Sequence, residues 1–268
     1  VWWLKLTAEP YPRLSLVRAV SDDTAAYLGP FGSRPAAEAV VAALHDAVPL
    51  RQCTARLSPR RPSPACVLAE LGRCAAPCQH QVTVAEYAAQ AADPVREAFV
   101  GDPGPVVAAL QEKIDKLAAA HRYEDAARVR ERLAALLRAA IRRQRLVALT
   151  SIAEVCAARP AGGGWELAVV RHGRLAGAGY AAPGVPPREV LAAVIATAET
   201  VLPGPGPAPC ATAEETHRIL DWLERPETRL VELSSPWAYP VAGAARFAGL
   251  LDQLDRAREP ARQSIVSR

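Results

Sequence analysis

Val106, Leu110, Ile114 and Leu117 recur at intervals of three and four residues. After His121-Arg122-Tyr123 a second stripe follows: Ala126, Val129, Leu133, Leu136, Leu137 and Ile141. Each stripe has the period of one helical face, and each needs an apolar partner. A break this short between them turns the second helix back onto the first. The spacing predicts an antiparallel helical hairpin over 101–150.

The flanking segments read differently. Trp2–Thr7 and Leu14–Val20 alternate like strands, and Tyr27–Gly32 reads as a turn. Ser33 is a candidate N-cap, with Pro35 in the first turn of a helix through Ala36–Ala47. Residues 51–80 show no clean period, and residues 83–100 look helical. Pro160–Gly164 reads as a linker. Beyond it, Trp165–Val170 and Leu175–Ala181 flank a turn at Arg171–Arg174, the pattern of a β-hairpin. A helix at Pro187–Val201, a Pro/Gly spacer at Pro203–Pro209, a helix near 213–224, a strand at Thr228–Ser234 and a helix near 243–258 complete the chain. The expected class is α+β. Its parts are a small α/β N-terminal unit (1–50), an irregular metal-bound cysteine segment (51–100), the helical hairpin (101–150) and a C-terminal α/β unit (160–268).

Composition fits a folded chain. Of 268 residues, 50% are hydrophobic and 22% charged, which excludes wholesale disorder, and the length suggests two or three domains. No apolar run approaches the ~20 residues of a membrane span, so no membrane partner is expected. The N-terminal residues lack the pattern of a signal peptide, and the expected setting is the cytoplasm. Methionine is absent even from position 1, which suggests a fragment or processed product. Three lysines stand against 29 arginines. That bias, with abundant Ala and Pro, points to a GC-rich genome and weakens arginine content as an argument for nucleic acid. Placement says more than content. Residues 51–80 carry five arginines and one acid, and residues 122–146 carry eight arginines and three acids. Two basic regions in a near-neutral chain fit contact with phosphate or an acidic partner, or two solvated surfaces.

Cys53, Cys66, Cys74 and Cys78 lie in the irregular, proline-rich segment with the spacing C-x12-C-x7-C-x3-C. Four cysteines where no large core can form suggest a metal centre rather than disulfides. Four thiolates suit Zn²⁺ or an iron–sulfur cluster, and the spacing does not choose between them. The paired C-x2-C knuckles usual for zinc are missing, and the longer gaps fit more easily around a bulky cluster. Cys156 and Cys210 read as ordinary small apolar residues.

The order Tyr27-Leu28-Gly29-Pro30-Phe31, Pro49-Leu50-Arg51-Gln52-Cys53, Cys66, then Gly72-Arg73-Cys74-Ala75-Ala76-Pro77-Cys78 resembles the cysteine-rich region of the UvrC excinuclease family. Glu86-Tyr87 and Phe99-Val100-Gly101 continue the resemblance. Tyr123–Glu131 resembles the UVR motif, the helical hairpin that binds UvrB. The resemblance covers about 1–150. It implies a portion of a nucleotide-excision-repair endonuclease, with a 4Fe-4S cluster on Cys53, Cys66, Cys74 and Cys78 (Zn²⁺ the alternative). It implies DNA and a UvrB-like protein as partners. Tyr123, Glu124, Ala127, Arg130 and Glu131 would form the partner surface. The sequence departs from the family pattern at Tyr123, usually Phe, and at Glu131, usually Asp.

The family's GIY-YIG nuclease would precede this region, so residues 1–20 are expected to be its end or the connection out of it. Its second, RNase H-like nuclease would follow the hairpin, but no matching acidic centre is recognisable among Glu166, Glu232, Glu214, Glu215, Asp221 and Glu224. No catalytic residue is therefore assigned. The layout also resembles the C-terminal part of bacterial fusions of a DEDD exonuclease, a GIY-YIG domain and a UvrC-like tail.

Arg51, Arg56, Arg60, Arg61 and Arg73 surround the cysteines and are candidates for DNA phosphate contact, or for offsetting thiolate charge. Arg128 and Glu124 stand four apart, which predicts an internal ion pair. Two other readings stand beside the first. One is a metal-dependent nuclease acting through the C-terminal unit. The other is a zinc-binding regulatory adaptor that carries a UVR hairpin.

Overall fold

The computed structural model describes residues 1–204 and 209–266, with side chains up to residue 257; positions 205–208 of the expected Pro/Gly spacer lie outside the described residues. The chain divides into two compact units. One comprises Val1–Arg143 together with the chain from Pro240 onward, and the other comprises Gln144–Tyr239.

The first unit opens with a three-stranded antiparallel sheet of order β2-β1-β3, where β1 is Trp2–Leu6, β2 is Leu14–Val17 and β3 is Ala26–Phe31. Leu4 and Leu6 alternate into the core. β3 corrects the turn expected at Tyr27–Gly32. The Gly-Pro pair reads as a breaker, yet β3 pairs only with β1, and an edge strand tolerates a missing N–H. Gly29, at φ +148°, also lies against Trp3, whose ring a Cβ there would meet at 2.9 Å.

Helix α1 (Arg34–Ala47) starts where the sequence places it, with the Ser33 side chain accepting the Ala36 N–H at 3.3 Å. Its Ala37, Val40, Ala43 and Leu44 are buried against the sheet and the hairpin. Residues 51–80 are irregular except for a single helical turn, α2 (Val67–Glu70), and a 3-10 turn at Pro77–Gln79. A capping box at Thr83 and Glu86 starts α3 (Val84–Tyr87), which passes through a π turn at Ala88–Ala92 into α4 (Asp93–Val100).

The hairpin is α5 (Gly104–Ala119) and α6 (Tyr123–Thr150). His121 sits at φ +57°, and the Arg122 N–H reaches back to the Leu117 carbonyl at 2.9 Å. That is a Schellman closure in which histidine takes the position glycine usually fills. Leu110, Leu133, Leu136 and Leu137 are fully buried in the first unit's core. A 3-10 turn at Ala244–Phe247 and helix α9 (Ala248–Val266) return to this unit, where Phe247, Leu250, Leu251 and Leu254 pack on the same core.

The second unit holds a four-stranded antiparallel sheet of order β6-β5-β4-β7. Its strands are β4 (Val155–Ala161), β5 (Gly164–Arg171), β6 (Arg174–Ala181) and β7 (Arg229–Leu233). The segment Pro160–Gly164 is no linker but the turn joining β4 to β5. Gly162 and Gly163 take φ +55° and +78°, as a tight two-residue hairpin turn requires. His172 and Gly173 do the same between β5 and β6. Helix α7 (Pro187–Thr197) packs on one face of the sheet, and α8 (Ala213–Leu223) on the other. Among the described residues no helix is long and apolar enough to cross a membrane.

Candidate cysteine centre and hairpin surface

The four cysteines sit on four different local structures. Cys53 follows α1 in extended chain, and Cys66 occupies the N-cap position of α2. Cys74 and Cys78 flank Ala76, which is left-handed at φ +51° and opens the 3-10 turn. The loop is held by backbone bonds rather than by a large core. Ala75 N–H donates to the Pro49 carbonyl at 3.0 Å, and Ser63 N–H to the Cys78 carbonyl at 2.7 Å. The His80 ring nitrogen Nε2 lies 3.0 Å from the Ser58 carbonyl oxygen. Buried Leu57, Ala76 and Pro77 anchor the segment.

None of the four is in a disulfide. Cys53, Cys74 and Cys78 are half-buried, and Cys66 is exposed. Burial pushes the Cys74 thiol above its ordinary value. A bond from the Ala76 backbone opposes that rise, while the charges of Cys53, Cys66 and Cys78 add to it. The four sulfurs therefore share one electrostatic neighbourhood. They do not form a closed ligand shell: among the described residues, no three His, Cys, Asp or Glu side chains stand close enough to hold a metal ion. Beside Cys53, the buried amide nitrogen of Gln52 has no hydrogen-bond partner.

Arg51 is not at the surface. Its side chain is fully buried, which corrects its assignment to phosphate contact. Nε donates to the Tyr11 carbonyl at 2.7 Å, and Nη1 donates to the carbonyls of Cys53 at 2.9 Å and Ala55 at 2.8 Å. Nη2 pairs with Glu9 at 2.9 Å, and Nη1 also lies 3.4 Å from the Cys53 sulfur. A guanidinium that is wholly buried, and held by three carbonyls and a carboxylate, is out of reach of a phosphate. Sequence reading could not see this, because Glu9 and Tyr11 lie some forty positions away. The other four arginines of the segment, Arg56, Arg60, Arg61 and Arg73, are exposed and make no ion pair among the described residues. The basic stretch on α6 differs, since Arg122, Arg128, Arg132, Arg138 and Arg145 all meet carboxylates.

Asp46, at the end of α1, was given no role by sequence reasoning. Its nearly buried carboxylate accepts from Lys113 on α5 at 2.8 Å and from Arg132 on α6 at 2.5 Å. It ties both hairpin helices to α1. Burial pushes this carboxyl up, but the two cations outweigh burial and hold it below the usual range.

On α6, Tyr123, Glu124, Arg130 and Glu131 are exposed and Ala127 is half-buried. Positions 123, 127, 130 and 131 share one helical face, opposite the buried row of Val129, Leu133 and Leu136. Tyr123 is 63% exposed, with its hydroxyl 3.0 Å from the His121 ring. The ion pair expected between Arg128 and Glu124 is replaced by one between Arg128 and Asp125, 2.8 Å apart. Asp125 also takes Arg122 at 2.6 Å, so the turn that precedes α6 selects the nearer acid. Ala127, Arg130 and Glu131 border a cleft shared with Leu254 and Asp255 of α9.

In the second unit, Glu166 on β5 pairs with Arg159 at 2.6 Å and accepts from the Trp222 indole at 3.4 Å. Glu232 lies on the exposed strand β7, and Glu214, Glu215 and Asp221 lie on α8, followed by Glu224 at its C-cap. Burial pushes the Cys156 thiol up to about 11, in keeping with a core residue.

Residues 1–97 match the family model of the UvrC/Cho excinuclease middle domain. The chain carries a UvrC-type middle domain. That match takes in the sheet, α1, all four cysteines and most of α4. A protein of Mycobacterium tuberculosis, whose name assigns it provisionally as a bifunctional exonuclease/endonuclease, is 41% identical over 92% of this chain and 38% of its own length. The UvrABC system protein C of Citrifermentans bemidjiense is 37% identical over 55% of this chain and 23% of its own. That of Syntrophotalea carbinolica is 30% identical over 65% and 29%. The UvrC-like chain thus spans under two fifths of the length of each of these relatives. No solved structure matches it.

Proposed function

We propose that this chain is the non-catalytic DNA- and partner-binding portion of a UvrC-like nucleotide-excision-repair endonuclease. The observation that carries the reading is the middle-domain match over residues 1–97, which encloses four free cysteines. Cys53, Cys66, Cys74 and Cys78 would hold a 4Fe-4S cluster. The donor set is all thiolate, and Gln52, next to Cys53 in sequence, keeps a buried amide nitrogen without a partner. Such a group supplies a fixed inorganic cross-link, and a redox-active one, in a loop short of apolar residues. Zn²⁺ is the alternative occupant.

The unpaired Arg56, Arg60, Arg61 and Arg73 would contact DNA phosphates without reading bases. Tyr123, Glu124, Ala127, Arg130 and Glu131 would meet a UvrB-like protein. Tyr123 supplies an apolar ring with a hydroxyl already satisfied by His121, which answers the departure from Phe.

The test is metal and sulfide analysis of protein purified without oxygen, beside Cys74→Ala. Iron and sulfide near four per chain, lost in the variant, are expected for the cluster. Zinc alone would replace the cluster with an ion, and absence of both would overturn the reading of the cysteines.

A further inference from the structure

The two faces of the second unit's sheet are finished differently. On one face α7 covers β5 and β6 so closely that a Cβ on Gly179 would meet Val194 at 2.6 Å. On the other face Leu220 and Leu223 of α8 close over Val155 and Ala157 of β4 and Val170 of β5. β6 meets α8 at its start, where Glu215 accepts the Leu175 N–H, but contributes no residue to that buried core. Leu175, Ala178 and Tyr180 stay exposed there, Leu175 at 45% and Tyr180 at 49%.

A groove of about 630 Å³ runs between this strip and α8. Its floor is Ala168, Leu175 and Ala178, and its wall is Ile219 and Trp222. A water-facing antiparallel sheet normally turns polar residues outward. Here the outward residues are apolar and mostly small, which leaves depth for side chains from another element. Glu215, Ile219 and Trp222 mark about two turns of α8 along the wall, roughly 10 Å. A sheet strand covered by a helix on one face and bare and apolar on the other lacks half a layer.

The rim selects the sign of what fills it. Glu166, Glu214 and Glu215 line the groove against one guanidinium, Arg218. Glu166 is already paired with Arg159, and Glu215 accepts the Leu175 N–H at 3.1 Å through one oxygen. Negative charge thus remains at the N-terminal end of α8, beside an apolar floor. Phosphates and acidic peptides would be repelled there.

We infer that this groove seats a short amphipathic helix of a partner protein, apolar face down on Ala168, Leu175 and Ala178, with Lys or Arg side chains against Glu214 and Glu215. The site lies outside the middle-domain match and is independent of the cysteine reading.

The test uses the whole chain and two labelled synthetic peptides of about 18 residues, past the length at which isolated helices are marginal: a Leu/Lys amphipathic helix and its Leu/Glu counterpart. Fluorescence anisotropy is expected to show the Leu/Lys peptide binding at least about tenfold more tightly. Ala178→Trp, which fills the floor, should weaken that binding about tenfold or more. Glu214→Gln with Glu215→Gln should weaken it about threefold to tenfold and flatten its salt dependence, while leaving an acceptor for the Leu175 N–H. If Ala178→Trp lowers the melting temperature, the Gln pair decides alone. Equal binding of both peptides, or binding that neither variant moves, would overturn the inference. So would a dimer in sedimentation that Ala178→Trp abolishes, because the occupant would then be a second copy.

Discussion

The Tyr87 hydroxyl accepts the backbone N–H of Arg51 at 3.0 Å and donates to the Pro12 carbonyl at 2.7 Å. One phenol thereby joins three segments far apart in sequence: the loop after β1, the start of the cysteine segment and the end of α3. The Tyr11 ring meets Tyr87 edge-on at 5.5 Å and closes the other side. Tyr87→Phe keeps the ring and leaves two buried backbone groups unsatisfied, so a loss of about 1–3 kcal/mol is expected in urea unfolding. An unchanged midpoint would show that water replaces the hydroxyl.

Arg51 and the exposed arginines should separate experimentally. Arg51→Met strips donors from three buried carbonyls and leaves Glu9 only its longer pair with Arg13, at 3.6 Å, and a loss of about 3–5 kcal/mol in unfolding is expected. Arg60→Gln with Arg61→Gln should leave the unfolding midpoint within about 0.5 kcal/mol. If these two touch duplex phosphates, the slope of log K against log salt falls by about 1.8. A destabilised Gln pair, or an unmoved slope, would assign them elsewhere.

Asp46→Asn weakens the tie between α1 and both hairpin helices while keeping an acceptor of the same size. A loss of about 1–2 kcal/mol is expected, with the partner helices' amides exchanging faster near Lys113 and Arg132. Because the two cations hold this carboxyl below the unfolded value of 3.8, its contribution is present above that pH and is lost as acid protonates it. The variant should therefore differ most from the parent at neutral pH.

His45 gives an acid-side signature. Burial pushes its pKa from 6.5 down to about 4, with Asp46 opposing and Arg73 adding. Its ring nitrogen Nε2 is buried with no partner. Between those pH values the unfolded chain binds the extra proton, so stability falls as pH drops from 6.5 toward 4. The slope from this group is at most about 1.4 kcal/mol per pH unit. His45→Gln should flatten the stability profile across that window, and a profile as steep as the parent's would place the titration on another group.

Local pattern foretold most of the elements. Ser33 capped the predicted helix, and the break at His121–Tyr123 is where the hairpin turns. The β-hairpin about Gly173 followed from period-two alternation. What escaped was decided by partners distant in sequence. Gly29-Pro30 reads as a turn until β3 is seen to be an edge strand against Trp3. Gly162-Gly163 reads as a linker until β4 and β5 supply the strands that need a tight turn. At the candidate site, the two hairpin helices were legible because they follow from short-range order, whereas the cysteine spacing names four thiols that do not stand in one closed ligand shell among the described residues. Arg51 was not legible: a basic residue in a basic segment carries no sign that Glu9 and three carbonyls are waiting for it.

Helix α9 sets an order of events during synthesis. The first unit is built from Val1–Arg143 and the chain after Pro240, with the whole of Gln144–Tyr239 between them. Leu250, Leu251 and Leu254 belong to a core whose other members left the ribosome long before. The second unit can therefore finish folding first, while the older part of the chain waits with an apolar strip uncovered. A helix made after the second unit closes a unit begun before it.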